Sequence, residues 1–275
     1  MSDAPASRAP SCALTIAGSD SGGGAGIQAD LKTFAAHGVH GLSAIAALTA
    51  QHTRGVTSVH VPDIGFLRAQ IDACFDDFAI GAVKLGMLAN AHVIHAVADA
   101  LQAYRPAHIV LDPVMVATSG AKLLEDEALD ALRTRLLPMA SIVTPNIPEA
   151  ELLLGHAITD AGAAESALVE LHQDLHAHAV LLKGGHMPGD GPLIDRYRDG
   201  DRVCLYGHER LELIAHGTGC TLASAIAANL CLGRLLHDAC EAATDYVHRA
   251  LRGGYRPGRG DVVVLDHFGA ASHDG

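Results

Sequence analysis

The run His216-Gly-Thr-Gly-Cys220 sets two glycines and a thiol immediately before the apolar helical pattern Thr221-Leu-Ala-Ser-Ala-Ile-Ala-Ala-Asn-Leu230. Backbone N–H groups at a helix start lack intrahelical partners and sit at the positive end of the helix dipole. They favour a phosphate or a developing oxyanion, so Gly217, Thr218 and Gly219 form a candidate anion hole. Cys220 would lie against that anion. A thiol beside a helix N-terminus is expected to ionise below its free pKa of about 8.5, as a base or a nucleophile. The same residues also suit a glycine-bounded helix start with a buried structural cysteine.

The loop Gly18-Ser-Asp-Ser-Gly-Gly-Gly-Ala-Gly26 precedes a helix with Ile27, Leu31 and Phe34 on one face. Gly24-Ala-Gly26-Ile-Gln-Ala29 fits the GxGxxA dinucleotide pattern. Residues 36 to 62 contain no Asp or Glu, however, where a dinucleotide site needs its ribose contact. A wide loop for close approach of a substrate, or a merely permissive one, is the better reading. Asp30 flanks the apolar stripe one turn into that helix, where it could enter a crevice or simply stabilise the first turn. Gln51, beyond the apolar run ending at Thr49, offers a paired donor and acceptor to a heterocycle edge, or is an ordinary loop amide. Thr144-Pro-Asn-Ile-Pro-Glu149 sets Asn146 and Glu149 between a strand end and a helix start. Their spacing fits an N-cap and a first-turn acid, and their position fits a metal-associated carboxylate. Asp112 in Leu111-Asp-Pro-Val-Met115 ends another strand, as does Lys183 in Leu182-Lys-Gly-Gly-His186, one of only four lysines. These groups converge on predicted strand C-termini, where parallel sheets bind ligands. No GxxxxGK[ST] occurs, which excludes a P-loop NTPase. His172, His176 and His178 have metal-like spacing but complete no ligand shell, and read as a solvated face.

Short Val/Ile/Leu runs alternating with helical patterns must hold these groups, the signature of a parallel sheet with helices on both faces. The expected strands are Ala13 to Ala17, Leu42 to Leu48, Ala82 to Leu85, Ile109 to Leu111, Ile142 to Thr144 and Val180 to Leu182. Leu193 to Tyr197 and Arg202 to Tyr206 flank a hairpin turn at Asp199-Gly200. Helices are expected over Asp63 to Phe78, Thr221 to Leu232 and His237 to Leu251, followed by an apolar run at Val262 to Leu265. The 275 residues suit one large α/β domain. With 19 Lys+Arg against 31 Asp+Glu, a net charge of -12 argues against a nucleic-acid surface and permits only a locally held anion. The six cysteines form no CxxC or disulfide framework, which fits a reducing cytosol, and no apolar run reaches membrane-spanning length.

In this order, the motifs resemble the hydroxymethylpyrimidine and phosphomethylpyrimidine kinases of thiamine synthesis, within the ribokinase-like superfamily. The resemblance runs through Ala17 to Asp30, Ala47 to Gln51, Lys84 to Leu88, Asp112 to Met115, Thr144 to Asn146 with Pro148 and Glu149, Lys183 to His186, and His216 to Thr221. It implies a three-layer α/β fold with a mainly parallel central sheet flanked by helices. One kinase domain would span 12–268, between tails at 1–11 and 269–275, in a cytoplasmic homodimer. The implied activity is ATP-dependent phosphorylation of 4-amino-5-hydroxymethyl-2-methylpyrimidine and then of its monophosphate. By the family pattern, Asp30 and Gln51 hydrogen-bond the aminopyrimidine, while Gly18, Met87 and Val114 line its ring. Cys220 stands where many ribokinase-like enzymes carry a catalytic Asp, beside the Gly217–Gly219 anion hole. Asp112 and Glu149 organise Mg²⁺, and Lys183 and Asn146 serve the nucleotide. His52 stands where the family usually has Asn, and residues 187 to 214 depart from the usual wording. A pyridoxine or pyridoxal kinase of the same superfamily is the nearest alternative. A catalytically silent vitamin-binding protein and an NAD-linked oxidoreductase are remoter ones.

Overall fold

A strand buried on both faces has no polar positions to spare, and that is how the centre of this chain is written. In the computed structural model, which describes residues 10–115, 126–174, 176–187 and 191–271, β1 (Cys12–Gly18) leads through α1 (Gly26–Ala36) to β2 (His40–His52) and β3 (Gly55–His60). There follow α2 (Ile64–Asp77), β4 (Ile80–Leu85), α3 (Ala91–Tyr104), β5 (Ile109–Leu111), α4 (Asp126–Ala131) and β6 (Ile142–Val143). Next come α5 (Ile147–Leu154), α6 (Ala161–Asp174), β7 (Ala179–Leu182), β8 (Leu193–Asp199) and β9 (Arg202–His208). The chain then runs through β10 (Ala215–His216), α7 (Thr218–Cys231), α8 (Leu236–Arg252) and β11 (Val263–Val264).

Nine strands form one sheet in the order β3-β2-β1-β4-β5-β6-β7-β8-β9, parallel from β2 to β7 and antiparallel at both edges. Alternation along the strands divides the core. Leu14, Ile16, Val83 and Leu85 pack with Leu67, Ile71, Ile94 and Leu101 of α2 and α3, while Ala13, Ala82 and Val110 meet Phe34, Ile226 and Tyr246 of α1, α7 and α8. Each such large side chain contributes roughly 1.5–3 kcal/mol when fully buried, so the two layers fix the strand ends that carry the site. Asp63 caps α2 by accepting the Gly65 N–H at 2.8 Å, which matches the expected helix start.

Three features differ from the sequence reading. β2 continues to His52, so Gln51 lies on a strand rather than in a loop. It continues because β3, which the apolar pattern did not reveal, pairs with it from Leu48 to His52. α7 begins at Thr218, three residues before its apolar pattern. Most of both expected tails lies outside the described residues, yet Ala270 is buried and its carbonyl accepts from Arg249 Nε at 3.3 Å, so packing continues at least that far.

Candidate active site

The carboxyl ends of β1, β4, β5, β6 and β7 open into one cavity of about 600 Å³. Its wall includes Gly18, Gln51, Met87, Asp112, Val114, Asn146, Glu149 and Lys183, together with Gly217, Thr218, Gly219 and Cys220. Of the residues given a catalytic, binding or metal role in the sequence reading, Asp30 is missing from that wall.

The anion end is built on α7. Gly217 is its N-cap at φ +88°, and a Cβ there would overlap the Gly24 carbonyl oxygen, so only glycine fits. The first intrahelical bond runs from Thr221 N–H to Gly217 C=O at 3.0 Å. The N–H groups of Thr218, Gly219 and Cys220 precede it, and no side chain caps them. A Cβ on Gly219 would stand 3.2 Å from Lys183 Nζ and 3.3 Å from Asp112 Oδ2, so the bare backbone of this turn rests against an ion cluster.

That cluster joins three strand ends. Lys183 Nζ donates to Asp112 Oδ1 at 2.9 Å and lies 3.6 Å from Glu149 Oε2. Asn146 and Glu149 form a capping box at the start of α5, with Glu149 N–H to Asn146 Oδ1 at 2.9 Å and Asn146 N–H to Glu149 Oε2 at 2.8 Å. The plain structural reading of this pair is therefore realised, and both residues still face the cavity. Burial, reinforced by Asp112 and opposed by Lys183, pushes the Glu149 carboxyl up to about 7. Burial also opposes the charge on Lys183, but Asp112 and Glu149 outweigh it, and its pKa lies above the usual lysine range. Asp112 Oδ2 is buried without a hydrogen-bond partner among the described residues. Asp195 on β8 accepts the Gly184 N–H at 2.7 Å, steadying the backbone next to Lys183.

Cys220 corrects one expectation. Its place in the first turn was expected to lower the thiol pKa, but burial pushes it up to about 11, with Lys84 the main opposing influence. Asp30 corrects another. Its carboxylate is fully buried behind the cavity, where it accepts from Lys84 Nζ at 2.9 Å through both oxygens, from Thr15 Oγ1 at 2.6 Å and from Ser224 Oγ at 2.8 Å. No oxygen is left to reach a ligand. Burial pushes the Asp30 carboxyl upward, while the four bonds it accepts favour the charged form, and we take the pair as ionised. Burial opposes the charge on Lys84 as well, and the attraction of Asp30, Cys220 and Asp112 raises its pKa above the ordinary range. Lys84, not Asp30, reaches the cavity. The signal for it was present, since a lysine inside an apolar strand demands a buried counter-charge.

Gly18, Gln51 and Met87 line another part of the same cavity. A Cβ on Gly18 would lie 3.3 Å from Met87 Sδ, so glycine leaves the floor open. Gln51 Nε2 lies 2.8 Å from His216 Nε2 and its Oε1 3.0 Å from Thr49 Oγ1. His52 is not part of the cavity wall, and its Nδ1 accepts the Arg54 N–H at 3.2 Å. Among the described residues, no group of three or more His, Cys, Asp or Glu is arranged to hold a metal ion, and no helix is long and apolar enough to cross a membrane.

An open α/β sheet whose strand ends bring an uncapped helix start, a lysine and two carboxylates into one cavity has the architecture of a small-molecule phosphotransferase. The chain belongs to the phosphomethylpyrimidine kinase family, whose model matches residues 20–265. It is 49% identical over 255 residues to the hydroxymethylpyrimidine/phosphomethylpyrimidine kinase of Rhizobium meliloti, covering 91% of this chain and 95% of that one. The crystal structure of phosphomethylpyrimidine kinase from Clostridium difficile superposes with a TM-score of 0.77 at 41% identity, over 86% of this chain and 97% of that one. An ADP complex of Bacillus subtilis pyridoxal kinase superposes with a TM-score of 0.87 at 32% identity, over 94% and 98%. These structures share the ribokinase-like fold expected from the motifs.

Proposed function

We propose that the protein is an ATP-dependent kinase that phosphorylates the hydroxymethyl group of 4-amino-5-hydroxymethyl-2-methylpyrimidine and then the resulting monophosphate. One observation carries this reading: a single cavity joins the Gln51, Met87, Val114 and Gly18 slot to the Lys183 cluster and the open helix start at Thr218 to Cys220. The ring rests in the slot with its hydroxymethyl group toward Cys220. Thr218, Gly219 and Cys220 N–H groups stabilise the transferring phosphoryl group, and Lys183 with Asn146 serves the ATP phosphates. A thiol with a pKa of about 11 is protonated at neutral pH, so Cys220 acts as a base only from its minor thiolate form, which takes the hydroxyl proton and becomes the thiol as the oxygen–phosphorus bond forms and the bond to ADP breaks.

The donor set also fits Mg²⁺. Asp112 Oδ2 is a buried carboxylate oxygen without a partner among the described residues, and Glu149 lies on the same lysine, a hard-oxygen pair suited to a cation that keeps water and phosphate ligands. Asp112 and Glu149 would hold the ion, directly or through water. When bound, it supplies charge neutralisation on the phosphates. The reading also includes a homodimer in the cytoplasm. Six free cysteines suit a reducing compartment, and Leu48 and Val59 give the β2–β3 edge an exposed apolar surface for a second copy.

The pyridoxal kinase reading is the lesser alternative: that neighbour has the higher TM-score, 0.87 against 0.77, but the lower identity, 32% against 41%. Mass spectrometry after incubation with Mg-ATP and each ring, separately and together, decides between them. Pyrimidine monophosphate followed by diphosphate is expected. Phosphorylation of pyridoxal alone moves the protein to the vitamin B6 reaction, and phosphorylation of neither ring refutes both.

A further inference from the structure

The ring end of the cavity carries a hydrogen-bond chain that the phosphoryl transfer itself does not use. Gln51 sits between Thr49 Oγ1 and His216 Nε2, at 3.0 and 2.8 Å. The two ends of a carboxamide are nearly isosteric, so proton count decides which end faces which partner. Thr49 Oγ1 has one proton. It lies 2.7 Å from the Ser19 carbonyl oxygen, which can only accept, so that proton is committed there. Toward Gln51 the hydroxyl then presents lone pairs alone, and the amide end facing it is the NH₂. The carbonyl end accordingly faces His216, whose Nε2 carries a proton.

Asp20 supports the same assignment independently. Its Oδ2 lies 3.3 Å from the same His216 Nε2, a contact that a bare nitrogen lone pair would make repulsive. Asp20 is itself fixed by N–H groups of Gly22 at 2.7 Å, Gly24 at 3.0 Å and Ala25 at 2.8 Å. Burial works to raise its pKa, but hydrogen bonds from His216, Gly22 and Ala25 outweigh burial and hold the carboxylate ionised below the usual range.

We propose that the one His216 Nε2 proton, shared between the Gln51 carbonyl at 2.8 Å and Asp20 Oδ2 at 3.3 Å, and Thr49 with Ser19 at the other end lock Gln51 in one orientation. His216 and Thr49 are then specificity-determining residues for the ring, an inference that rests on the kinase reading of the cavity. Locked in this way, Gln51 has one N–H and one carbonyl lone pair left for a ligand, in a fixed order. The hydroxymethyl group must point to Cys220, so the ring cannot turn over to swap its edge. A fixed order accepts a pyrimidine nitrogen beside an exocyclic amine and opposes the 4-oxo ring, where a carbonyl sits beside a ring N–H. A carboxamide free to flip would accept both. His216 also directly precedes Gly217, so one imidazole ties ring recognition to the start of the anion hole.

The first test needs no ligand. Nitrogen-15 NMR of the histidine-labelled protein, with the His216 signal assigned by its loss in His216→Ala, is expected to show the proton on Nε2. A neutral ring protonated only at Nδ1 overturns the relay. Titration calorimetry then compares 4-amino-5-hydroxymethyl-2-methylpyrimidine with its 4-oxo counterpart in wild type, His216→Ala and Thr49→Val, the last a change of similar shape. Wild type is expected to prefer the amino ring by about 100-fold or more, and each variant to reduce that preference at least about 10-fold. An unchanged preference in both variants overturns the specificity role. Wild-type protein that binds neither ring refutes the pyrimidine reading of the cavity, and the tautomer then decides the relay by itself.

Discussion

Replacing Asp30 by Ala leaves Lys84 buried without its counter-charge, and the structure sets the size of the effect. Both side chains are fully buried and joined by two contacts of 2.9 Å. Breaking such a pair from one side costs about 3–5 kcal/mol. A second route gives a ceiling: Lys84 can escape the penalty by losing its proton, which at pH 7 costs about 1.4 kcal/mol per unit below the free lysine value of roughly 10.4, or about 4.6 kcal/mol. The two figures agree. In Asp30→Ala the folded-state pKa of Lys84 falls below its unfolded value, so the penalty is greatest at low pH and shrinks by about 1.4 kcal/mol per unit as pH rises toward 10. With no tryptophan in the chain, urea unfolding followed by circular dichroism at pH 7 and pH 9 is the suitable assay. We expect Asp30→Ala to lose about 4 kcal/mol at pH 7 and distinctly less at pH 9, with Asp30→Ala/Lys84→Met recovering part of the loss. A penalty below about 1 kcal/mol, or one that does not change with pH, would show that the pair is not ionised as argued.

Cys220→Ala is expected to lower kcat about 10²- to 10³-fold with a smaller change in KM, because the proposed base is the Cys220 thiolate acting on the hydroxyl during transfer; steady-state kinetics showing an unchanged kcat would remove it from the chemistry. Gly217→Ala should abolish phosphoryl transfer, since its Cβ would overlap the Gly24 carbonyl oxygen at φ +88°; retention of wild-type turnover would show that the helix start tolerates displacement. Burial raises the Asp195 carboxyl to about 6, and the unfolded group titrates near 3.9, so the native state loses about 3 kcal/mol as pH rises from 4 through 6. Asp195→Asn should therefore stabilise the protein by up to roughly that amount at pH 8 and have little effect near pH 4, an outcome that urea titrations at the two pH values would contradict if the two differences were equal.

The sheet's centre was legible because buried parallel strands write themselves as apolar runs. The β3 edge was not. Gly55 to His60 alternates small, polar and β-branched residues, and Thr57 to His60 are all exposed, so no buried face marks it. Missing β3 also hid the end of β2 and left Gln51 looking like a loop amide. Asp112 and Lys183 were readable because each ends an apolar run, Glu149 because it opens the helix that follows one, and so was the glycine-rich start of α7. Pair partners across the fold were not. Lys84 lies opposite Thr15 in the β1–β4 register, and Asp30 from α1 and Ser224 from α7 close the group, a meeting of four segments that no local spacing encodes.

That meeting also explains how an acidic protein holds an anion. With a net charge of -12, long-range steering opposes ATP, so the attraction has to be local. Two of the four lysines, Lys84 and Lys183, stand at the first turn of α7, and both are balanced by carboxylates in the free protein. Their partners differ in what an incoming phosphate can change. Asp30 is enclosed by Thr15, Ser224 and Lys84 and cannot exchange, so Lys84 remains a fixed cation that holds the helix start against the sheet. Asp112 faces the cavity with one oxygen unpartnered among the described residues, so a divalent cation arriving with the phosphate would replace Lys183 as its counter-charge and leave Lys183 to the phosphate. The fixed lysine suits positioning and the exchangeable one suits the proposed nucleotide binding, because only the second pair faces the cavity.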